Sequence, residues 1–452
     1  MNIHLRTLVK NCNLVCQTSR ILPVFNHSYS TQFSQFLDDD VKGSVAPQGL
    51  RRLYVFGLAE HGALGYTTQV GNKRRRQLPH KYFKNPIRLH FGHYYRITDI
   101  ACGYGFTVVA TKSKDKNLKL FGCGLNSDSQ LGYHDPRKKG NPLELVMSFV
   151  RIPLPFKHPS TQIKHLATGR AHTIVITDNE GAFTFGNNSF GQCGRGIVQE
   201  EDYQGKWFCH NIADLEREKI VDAVCGQDHT LFLTESGKVY SCGWGADGQT
   251  GLGHLNNQET PCLVRGEIEG ERIVKLSSAV DCVLAVSDKG DVFGWGNSEY
   301  GQISESEMQI STPRALSQCK GVSRIVDVAS GGSACTMLND EGLVYSWGYG
   351  LLGQGPKVSR SMKPTLIPST LFGQHQFNPK SKIESLIAGP CTFGAITNFG
   401  HLYMWGKNQY GQLGLGTVED QPFPLKVAVG ADVDKVCCGV DHTVVLSRHF
   451  VT

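Results

Sequence analysis

The chain has 452 residues, of which 40% are hydrophobic and 19% are charged, so it can bury a large core and disorder is not expected. Its formal net charge of +6 is too small to predict a general attraction to nucleic acid. No uninterrupted apolar run approaches the roughly 18 residues of a membrane span. The 51 glycines against 18 prolines, with no collagen period, indicate many tight turns between short strands.

The amino-terminal segment has the composition of a mitochondrial transit peptide. Residues 1–36 contain no Asp or Glu and are rich in Ser, Thr, Asn and Gln. Leu5 and Leu8 recur at helical spacing beside Arg6 and Lys10, which gives a helix the basic face that the membrane potential draws inward. The continuous apolar stretch of a secretory signal is missing from this segment. We therefore predict a mitochondrial leader over 1–36, with a disordered basic tail as the alternative.

A unit of two linked halves recurs between residues 50 and 450. The first half is an alternating apolar strand, a short turn that usually contains Gly, and a second apolar strand; copies begin at Ile97, Ile163, Ile220, Ile273, Ile325, Ile383 and Val433. The second half is a turn, an aromatic-rich strand and a loop rich in Gly and Gln; copies begin at Leu53, Leu118, Ala182, Lys238, Asp291, Leu343 and His401. One complete unit is long enough for a four-stranded propeller blade.

The order of the halves predicts a closed ring. The chain opens on a second half at Leu53 and ends on a first half at Val433, so only pairing of the two ends leaves no half unpaired. Closure also removes the exposed strand edges that would invite aggregation. Gly237 and Gly290 follow polar residues between apolar strands, as tight hairpins require. We predict an all-β protein with a single seven-bladed β-propeller over 50–450, closed by its amino- and carboxy-terminal strands.

The fifteen cysteines do not form a disulfide pattern. No C-x-x-C occurs, and the cysteines stand singly at repeat-related positions, apart from the adjacent Cys437 and Cys438, whose side chains would point to opposite faces of a strand. We predict that nearly all are reduced core residues in a thiol-keeping compartment.

The repeat resembles the regulator-of-chromosome-condensation propeller family from Leu53 to Leu446. The segments that carry the resemblance include CGQDHT at 225–230, WGADGQ at 244–249 and WGKNQYGQLG at 405–414. Within the family the chain is closest to the mitochondrial member, to which ACGYGFT at 101–107 and GWGNSEY at 294–300 are similar. Blade four departs from the pattern, because it reads SAVDC at 278–282 where Gly and His are expected.

The resemblance implies a binding scaffold in the mitochondrial matrix, or at its inner membrane, and not a conventional enzyme. Its implied partners are mitochondrial ribosomal RNA, pseudouridine synthases and ribosome assembly factors, and its implied role is large-subunit ribosomal RNA maturation and mitoribosome assembly. The alternative is guanine-nucleotide exchange on a mitochondrial GTPase, such as the dynamin-like fusion GTPase. A structural adaptor in a matrix complex is a third reading. No cofactor and no DNA partner are expected.

Two basic clusters stand out from the mildly charged body and are our candidate sites for RNA or an acidic partner. They comprise Lys73, Arg74, Arg75, Arg76, Arg137, Lys138 and Lys139. Basic residues near aromatic ones suit contacts to RNA phosphates and bases. A solvated loop is the competing interpretation, to which the sequence gives equal weight. The clusters belong to neighbouring blades, so we hypothesise that they share one face.

Two further motifs are interpreted as structural. Gly243, Gly245 and Gly248 satisfy a dinucleotide-binding pattern but open no helix in a βαβ unit, which makes them blade turns. The repeated histidines His172 and His229, like His442, would be spread around a ring and not converge on a metal; we expect each to hydrogen-bond within its own blade. No catalytic residue and no metal ligand is predicted.

Overall fold

The computed structural model describes residues 51–66, 81–132, 134, 144–203 and 209–448. Within these ranges the chain forms seven antiparallel four-stranded sheets, each of which is one blade of a ring. No helix in these ranges is long and apolar enough to cross a membrane. The predicted leader, 1–36, lies outside the described residues.

Blades are numbered in chain order, and their strands run from the centre of the ring outward. Blade 1 comprises β3 (Ile97–Cys102), β4 (Phe106–Thr111), β5 (Leu120–Leu125) and β6 (Leu145–Arg151). Blade 2 comprises β7 (Ile163–Thr168), β8 (His172–Thr177), β9 (Ala182–Gly186) and β10 (His210–Ile212). Blade 3 comprises β11 (Ile220–Cys225), β12 (His229–Thr234), β13 (Val239–Gly243) and β14 (Gln258–Leu263). Blade 4 comprises β15 (Ile273–Ser277), β16 (Cys282–Ser287), β17 (Val292–Asn297) and β18 (Gln309–Ala315).

The remaining blades follow the same order. Blade 5 comprises β19 (Ile325–Ser330), β20 (Ala334–Asn339), β21 (Val344–Tyr349) and β22 (Arg360–Ile367). Blade 6 comprises β23 (Ile383–Ala388), β24 (Thr392–Thr397), β25 (Leu402–Gly406) and β26 (Gln421–Lys426). Blade 7 comprises β27 (Val433–Cys438), β28 (His442–Ser447), β1 (Arg52–Leu58) and β2 (Tyr82–Leu89). A short helix, α1 (Phe91–Tyr94), connects blade 7 to blade 1.

Blade 7 closes the ring in the predicted way. Its two inner strands come from the carboxy-terminal part of the chain and its two outer strands from the amino-terminal part. Strand β1 is antiparallel to β28, with Leu53 opposite Leu446 and Gly57 opposite His442. Leu53, Leu446 and the adjacent Val444 are fully buried at this seam. The prediction of seven blades closed by the two ends is confirmed.

The ring has two faces that are built from different connections. On one face, the end of each third strand donates a backbone hydrogen bond to the turn between the first and second strands, as Leu125 does to Gly105 and Trp244 to Asp228. We call this the loop face, because the third and fourth strands are also joined there. On the other, hairpin face, the turn between the second and third strands bonds to the connection from the preceding blade, as Lys112 does to Arg96.

A polar contact between adjacent blades recurs at several seams of the ring. The Gln-rich loop of one blade offers a backbone carbonyl to the next blade, and the indole N–H groups of Trp295 and Trp347 donate to the carbonyls of Gln249 and Gln302 at 3.0 and 2.8 Å. Both tryptophans are fully buried, so each combines a large apolar contact with a satisfied donor. The Gln side chains hold their own loops in shape, because Oε1 of Gln249 accepts from the backbone N–H of Asp247 and Oε1 of Gln302 from that of Tyr300, both at 2.9 Å.

The dinucleotide-like glycines occupy a strand end and a loop, as interpreted from the sequence. Gly243 ends β13 with a φ of +108°, and a Cβ at this position would lie 2.5 Å from the carbonyl oxygen of Asp228. The same conformation recurs at the end of the third strand of every blade, so it belongs to the blade and not to a nucleotide site.

Candidate binding surfaces

The two predicted basic clusters lie outside the described residues. Lys73, Arg74, Arg75 and Arg76 fall between β1 and β2, whereas Arg137, Lys138 and Lys139 fall between β5 and β6. Both intervals join a third strand to a fourth strand, so the described residues that flank them leave adjacent blades 7 and 1 from the loop face. Their role in binding stays a prediction.

The repeated histidines link adjacent blades, so the expectation that each bonds within its own blade is wrong. Nε2 of His172 lies 3.0 Å from Oγ1 of Thr230 in blade 3, and Nε2 of His442 lies 3.0 Å from Oγ1 of Thr107 in blade 1. Thr107 already donates its hydroxyl proton to the carbonyl of Ala63, so His442 must be the donor. The sequence could not show this, because a side chain at the start of a second strand is near both its own blade and the next.

Burial keeps these histidines neutral at physiological pH. Desolvation lowers the pKa of His172 and His229 to about 3, and that of His442 to about 4. A group with such a pKa supplies no proton transfer near neutrality. Across the described ranges, no three His, Cys, Asp or Glu side chains come together in a way that would hold a metal ion.

Blade 4 replaces the histidine contact with a thiol contact and a partly buried acid. Sγ of Cys282, at the histidine position, lies 3.9 Å from Sγ of Cys335 in blade 5. The preceding Asp281 accepts a hydrogen bond from Nε2 of Gln249 at 3.0 Å. Burial raises the pKa of Asp281 to about 7. The departure of blade 4 from the repeat therefore changes the chemistry of the seam and leaves its geometry in place.

A cavity of about 190 Å³ lies where the inner strands converge at the loop face. Three thiols of the closure seam, those of Cys102, Cys437 and Cys438, line it together with small residues. Sγ of Cys437 donates to the carbonyl of Ile100 at 3.1 Å, whereas Cys438 accepts from Thr443 in its own blade. The adjacent thiols thus face opposite sides, as predicted, and all thirteen described cysteines are free. The cavity walls are largely backbone and small side chains, which offer few groups for recognition.

The hairpin face of blade 1 carries a basic surface that the sequence analysis missed. We call it the first-blade surface, and its exposed side chains are Arg88, His90, His93, Tyr94, Arg96, Lys112, Lys114, Lys116 and Lys157. They come from α1 and its flanks, from the β4–β5 hairpin and from the connection to blade 2. The backbone N–H of Lys112 donates to the carbonyl of Arg96 at 2.8 Å, which joins the first two segments.

The buried Lys119 joins the hairpin to the third segment of this surface. Its Nζ donates to the carbonyl of Pro159 at 2.5 Å and lies 5.4 Å from the ring centre of Phe156. The carboxylate of the buried Glu180 accepts from the backbone N–H of Lys157 at 2.9 Å. A buried cation and a buried anion therefore fix the backbone beneath exposed lysines, so little ordering is needed when this surface binds.

The exposed cations of this surface are not neutralised by neighbouring acids. Among the described residues, no carboxylate pairs with Arg96, Lys112, Lys114, Lys116 or Lys157. The acid in the same hairpin, Asp115, accepts instead from the backbone N–H of Asn117 at 2.9 Å. Unpaired surface cations are available to an external anion without the loss of an internal ion pair.

A charge count in segments along the chain would have pointed to this region from the sequence. Residues 81–170 contain fifteen Lys and Arg and five Asp and Glu, which leaves 31 of the 46 basic residues and 35 of the 40 acidic ones for the remaining chain. The whole-chain charge of +6 therefore hides a basic segment, which includes blade 1, within a mildly acidic remainder.

Comparison with known proteins gives concordant matches. The RCC1-like domain profile matches residues 211–450, and regulator of chromosome condensation (RCC1) repeat profiles match 52–110, 163–192 and 180–233. The chain is 45% identical over 414 residues to mouse "RCC1-like G exchanging factor-like protein", covering 88% of each chain, and 43% identical to the human protein of that name, covering 88% of this chain and 87% of the relative. The crystal structure of human WBSCR16 superposes with a TM-score of 0.83 at 42% identity, covering 89% of this chain and 100% of that one.

Proposed function

Since this chain belongs to the regulator of chromosome condensation (RCC1) repeat family, we propose that it is a non-enzymatic scaffold that binds RNA through blade 1. We place it in the mitochondrial matrix or at the inner membrane, where it supports large-subunit ribosomal RNA maturation with pseudouridine synthases and ribosome assembly factors. The acid-free leader composition supports mitochondrial import.

The unneutralised first-blade surface is the observation that carries the proposal. RNA offers one phosphate per nucleotide, and unpaired Lys and Arg bind phosphates with release of counterions. The exposed aromatic and imidazole rings of Tyr94, His90 and His93 lie among the cations, and such rings stack on bases. The predicted clusters at 73–76 and 137–139 add seven further basic residues to this part of the sequence.

Ultraviolet crosslinking in intact mitochondria, followed by sequencing of the RNA attached to this chain, tests the proposal. Ribosomal RNA of the large subunit should be enriched over other mitochondrial transcripts. The purified full chain should also bind RNA with an affinity that falls steeply as salt rises from about 50 to about 200 mM, because several phosphates are neutralised. The absence of crosslinked RNA, together with salt-independent binding, would contradict the proposal.

Guanine-nucleotide exchange is the second candidate, and the name of the mouse and human relatives favours it. An exchange factor stabilises the nucleotide-free GTPase and needs no reaction centre of its own. The test is release of labelled GDP from purified matrix and inner-membrane GTPases, including the dynamin-like fusion GTPase. Accelerated release by the full chain supports this candidate, and unchanged release across the panel removes it.

A further inference from the structure

The first-blade surface presents one aromatic ring on a fixed support. Tyr94, the last residue of α1, has 48% of its surface exposed. The neighbouring rings of Phe91 and Tyr95 point inward instead, with centroids 5.1 and 4.7 Å from that of Phe121. The segment is therefore anchored by two aromatic contacts, and Tyr94 is held out to solvent by an ordered backbone.

Cationic side chains lie on both sides of this ring along the chain. Arg96 follows it by two residues and joins the Lys112 hairpin through the backbone. Before it, the guanidinium of Arg88 contacts the imidazole of His93. The centroid of the His93 ring is 5.4 Å from that of His90, in an edge-to-face arrangement. Along the chain, an exposed flat ring thus lies between groups that are able to bind phosphate.

This arrangement matches an unpaired RNA strand better than a duplex. In an A-form duplex the base faces are covered by their neighbours, so a ring such as Tyr94 has nothing to stack on. In a single strand the bases can turn toward an aromatic ring while the phosphates follow a basic track. An anionic membrane would need several exposed apolar groups, and Tyr94 is the one large hydrophobic side chain exposed on the first-blade surface.

We infer that the first-blade surface binds a single-stranded RNA segment, in which one base stacks on Tyr94 and the phosphates contact Arg96 and the lysines of the β4–β5 hairpin. The inference rests on the proposed RNA-binding function and specifies its substrate class. Tyr94 then sets the preference for unpaired RNA, whereas the lysines supply affinity that does not depend on strand pairing.

Fluorescence anisotropy with the full chain tests the inference. The probes are a labelled 12-nucleotide RNA, the same RNA annealed to its complement, and heparin as a polyanion without bases. Tyr94→Leu removes the ring and keeps an apolar side chain, whereas Tyr94→Phe keeps the ring. Phe399→Leu is the matched control, because Phe399 lies in a hairpin of blade 6 on the same face and is 44% exposed.

The wild-type chain should prefer the single strand over the duplex by roughly 10-fold, and Tyr94→Leu should remove that preference, as expected for one lost base stack. Duplex and heparin binding should stay unchanged in Tyr94→Leu, while Tyr94→Phe and Phe399→Leu behave like the wild type. Equal binding of single strand and duplex, or an unchanged preference in Tyr94→Leu, overturns the inference and leaves RNA binding intact. Failure of the wild-type chain to bind either RNA at about 100 mM salt overturns the proposed function itself.

Discussion

Blade 1 and blades 3 and 4 use the same positions of the repeat for opposite purposes. On the hairpin face of blades 3 and 4, Lys238 pairs with Glu218 at 2.6 Å and Lys289 with Glu271 at 2.9 Å. On the same face of blade 1, Lys112 and Lys114 have no carboxylate partner among the described residues. We infer from this difference that a lysine of the repeat is available to an external anion only where the fold leaves its charge unpaired.

The largest expected effect follows from removing the unpaired charges. Replacing Lys112, Lys114 and Lys116 with Ala should weaken RNA binding about 100-fold at about 50 mM salt and reduce the slope of log K against log salt by about three. The cause is the loss of three phosphate contacts, and the measurement is anisotropy across a salt series.

The matched control removes three paired cations from blades 3 and 4. Lys238, Arg265 and Lys289 are exposed and paired, and their replacement with Ala should change RNA affinity by less than about twofold. An equal loss in both triple variants would mean that total charge, and not pairing, decides RNA binding.

The second prediction concerns Asp281, the partly buried acid of blade 4. Because burial raises its pKa from 3.8 to about 7, its contribution to stability is fully present below pH 3.8 and is lost as the pH rises through about 7. Asp281→Asn removes the ionisable group and should abolish this loss. The free energy of unfolding of the variant, relative to that of the wild type, should therefore be about 2 kcal/mol higher at about pH 8 than at about pH 5. Urea unfolding at both pH values measures the difference.

The exposed Asp115 of blade 1 provides the control for Asp281. Asp115→Asn should change the unfolding free energy by less than about 0.5 kcal/mol at either pH value, because Asp115 lies exposed on the surface. If the free energy of unfolding rises no more at high pH in Asp281→Asn than in Asp115→Asn, ionisation of Asp281 does not destabilise the fold. The proposed difference between the acids of blades 4 and 1 would then be wrong.

The fold could be predicted from the sequence because its information is repeated. The second half of a unit that begins at Leu53 and the first half that ends at Leu446 complete each other, which predicts closure of the ring. A single degenerate copy, such as SAVDC at 278–282, does not change this prediction, because the other copies keep the pattern. The direction of a side chain between two blades is not repeated in this way, so the partner of His172 was assigned to the wrong blade.

The first-blade surface was harder to predict for a different reason. Arg96 and Lys112 are distant in sequence and meet only through a backbone hydrogen bond between a blade connection and a hairpin. The clusters at 73–76 and 137–139 were predicted as binding sites because their charges are contiguous in the sequence. Their role remains a prediction. Contiguity is visible in a sequence, whereas the pairing of each cation with an acid is a property of the fold.

A smaller effect on stability is expected at Glu218 of blade 3. Its carboxylate accepts hydrogen bonds from Lys238, Ser236 and Thr234, which lower its pKa from 4.5 to about 2. The resulting stabilisation is present above pH 4.5 and is lost as the pH falls through about 2. Glu218→Gln should cost about 1 kcal/mol at neutral pH, a value limited by solvent screening, and less below about pH 3.

Urea unfolding of Glu218→Gln at neutral and acidic pH measures that effect. Glu267, in the connection between blades 3 and 4, also accepts a hydrogen bond, from the backbone N–H of Ala315 at 2.7 Å, but has no lysine partner in the described part of the chain. Glu267→Gln therefore serves as the control for loss of a carboxylate acceptor without loss of an ion pair. Equal costs in the two variants would show that the Lys238 pair contributes nothing to stability.

The smallest expected effect comes from creating unpaired cations in blades 3 and 4. The double change of Glu218 and Glu271 to Gln releases Lys238 and Lys289 from their pairs, so RNA affinity should rise about two- to threefold at low salt. Asp340→Asn with Glu341→Gln in blade 5 alters the net charge equally, but Glu341 accepts from Ser323 and not from a lysine. The same gain in both double variants would assign the effect to overall charge. A gain in RNA affinity that is confined to the variant with the released lysines would show that ion pairing decides whether the lysines of a blade bind RNA.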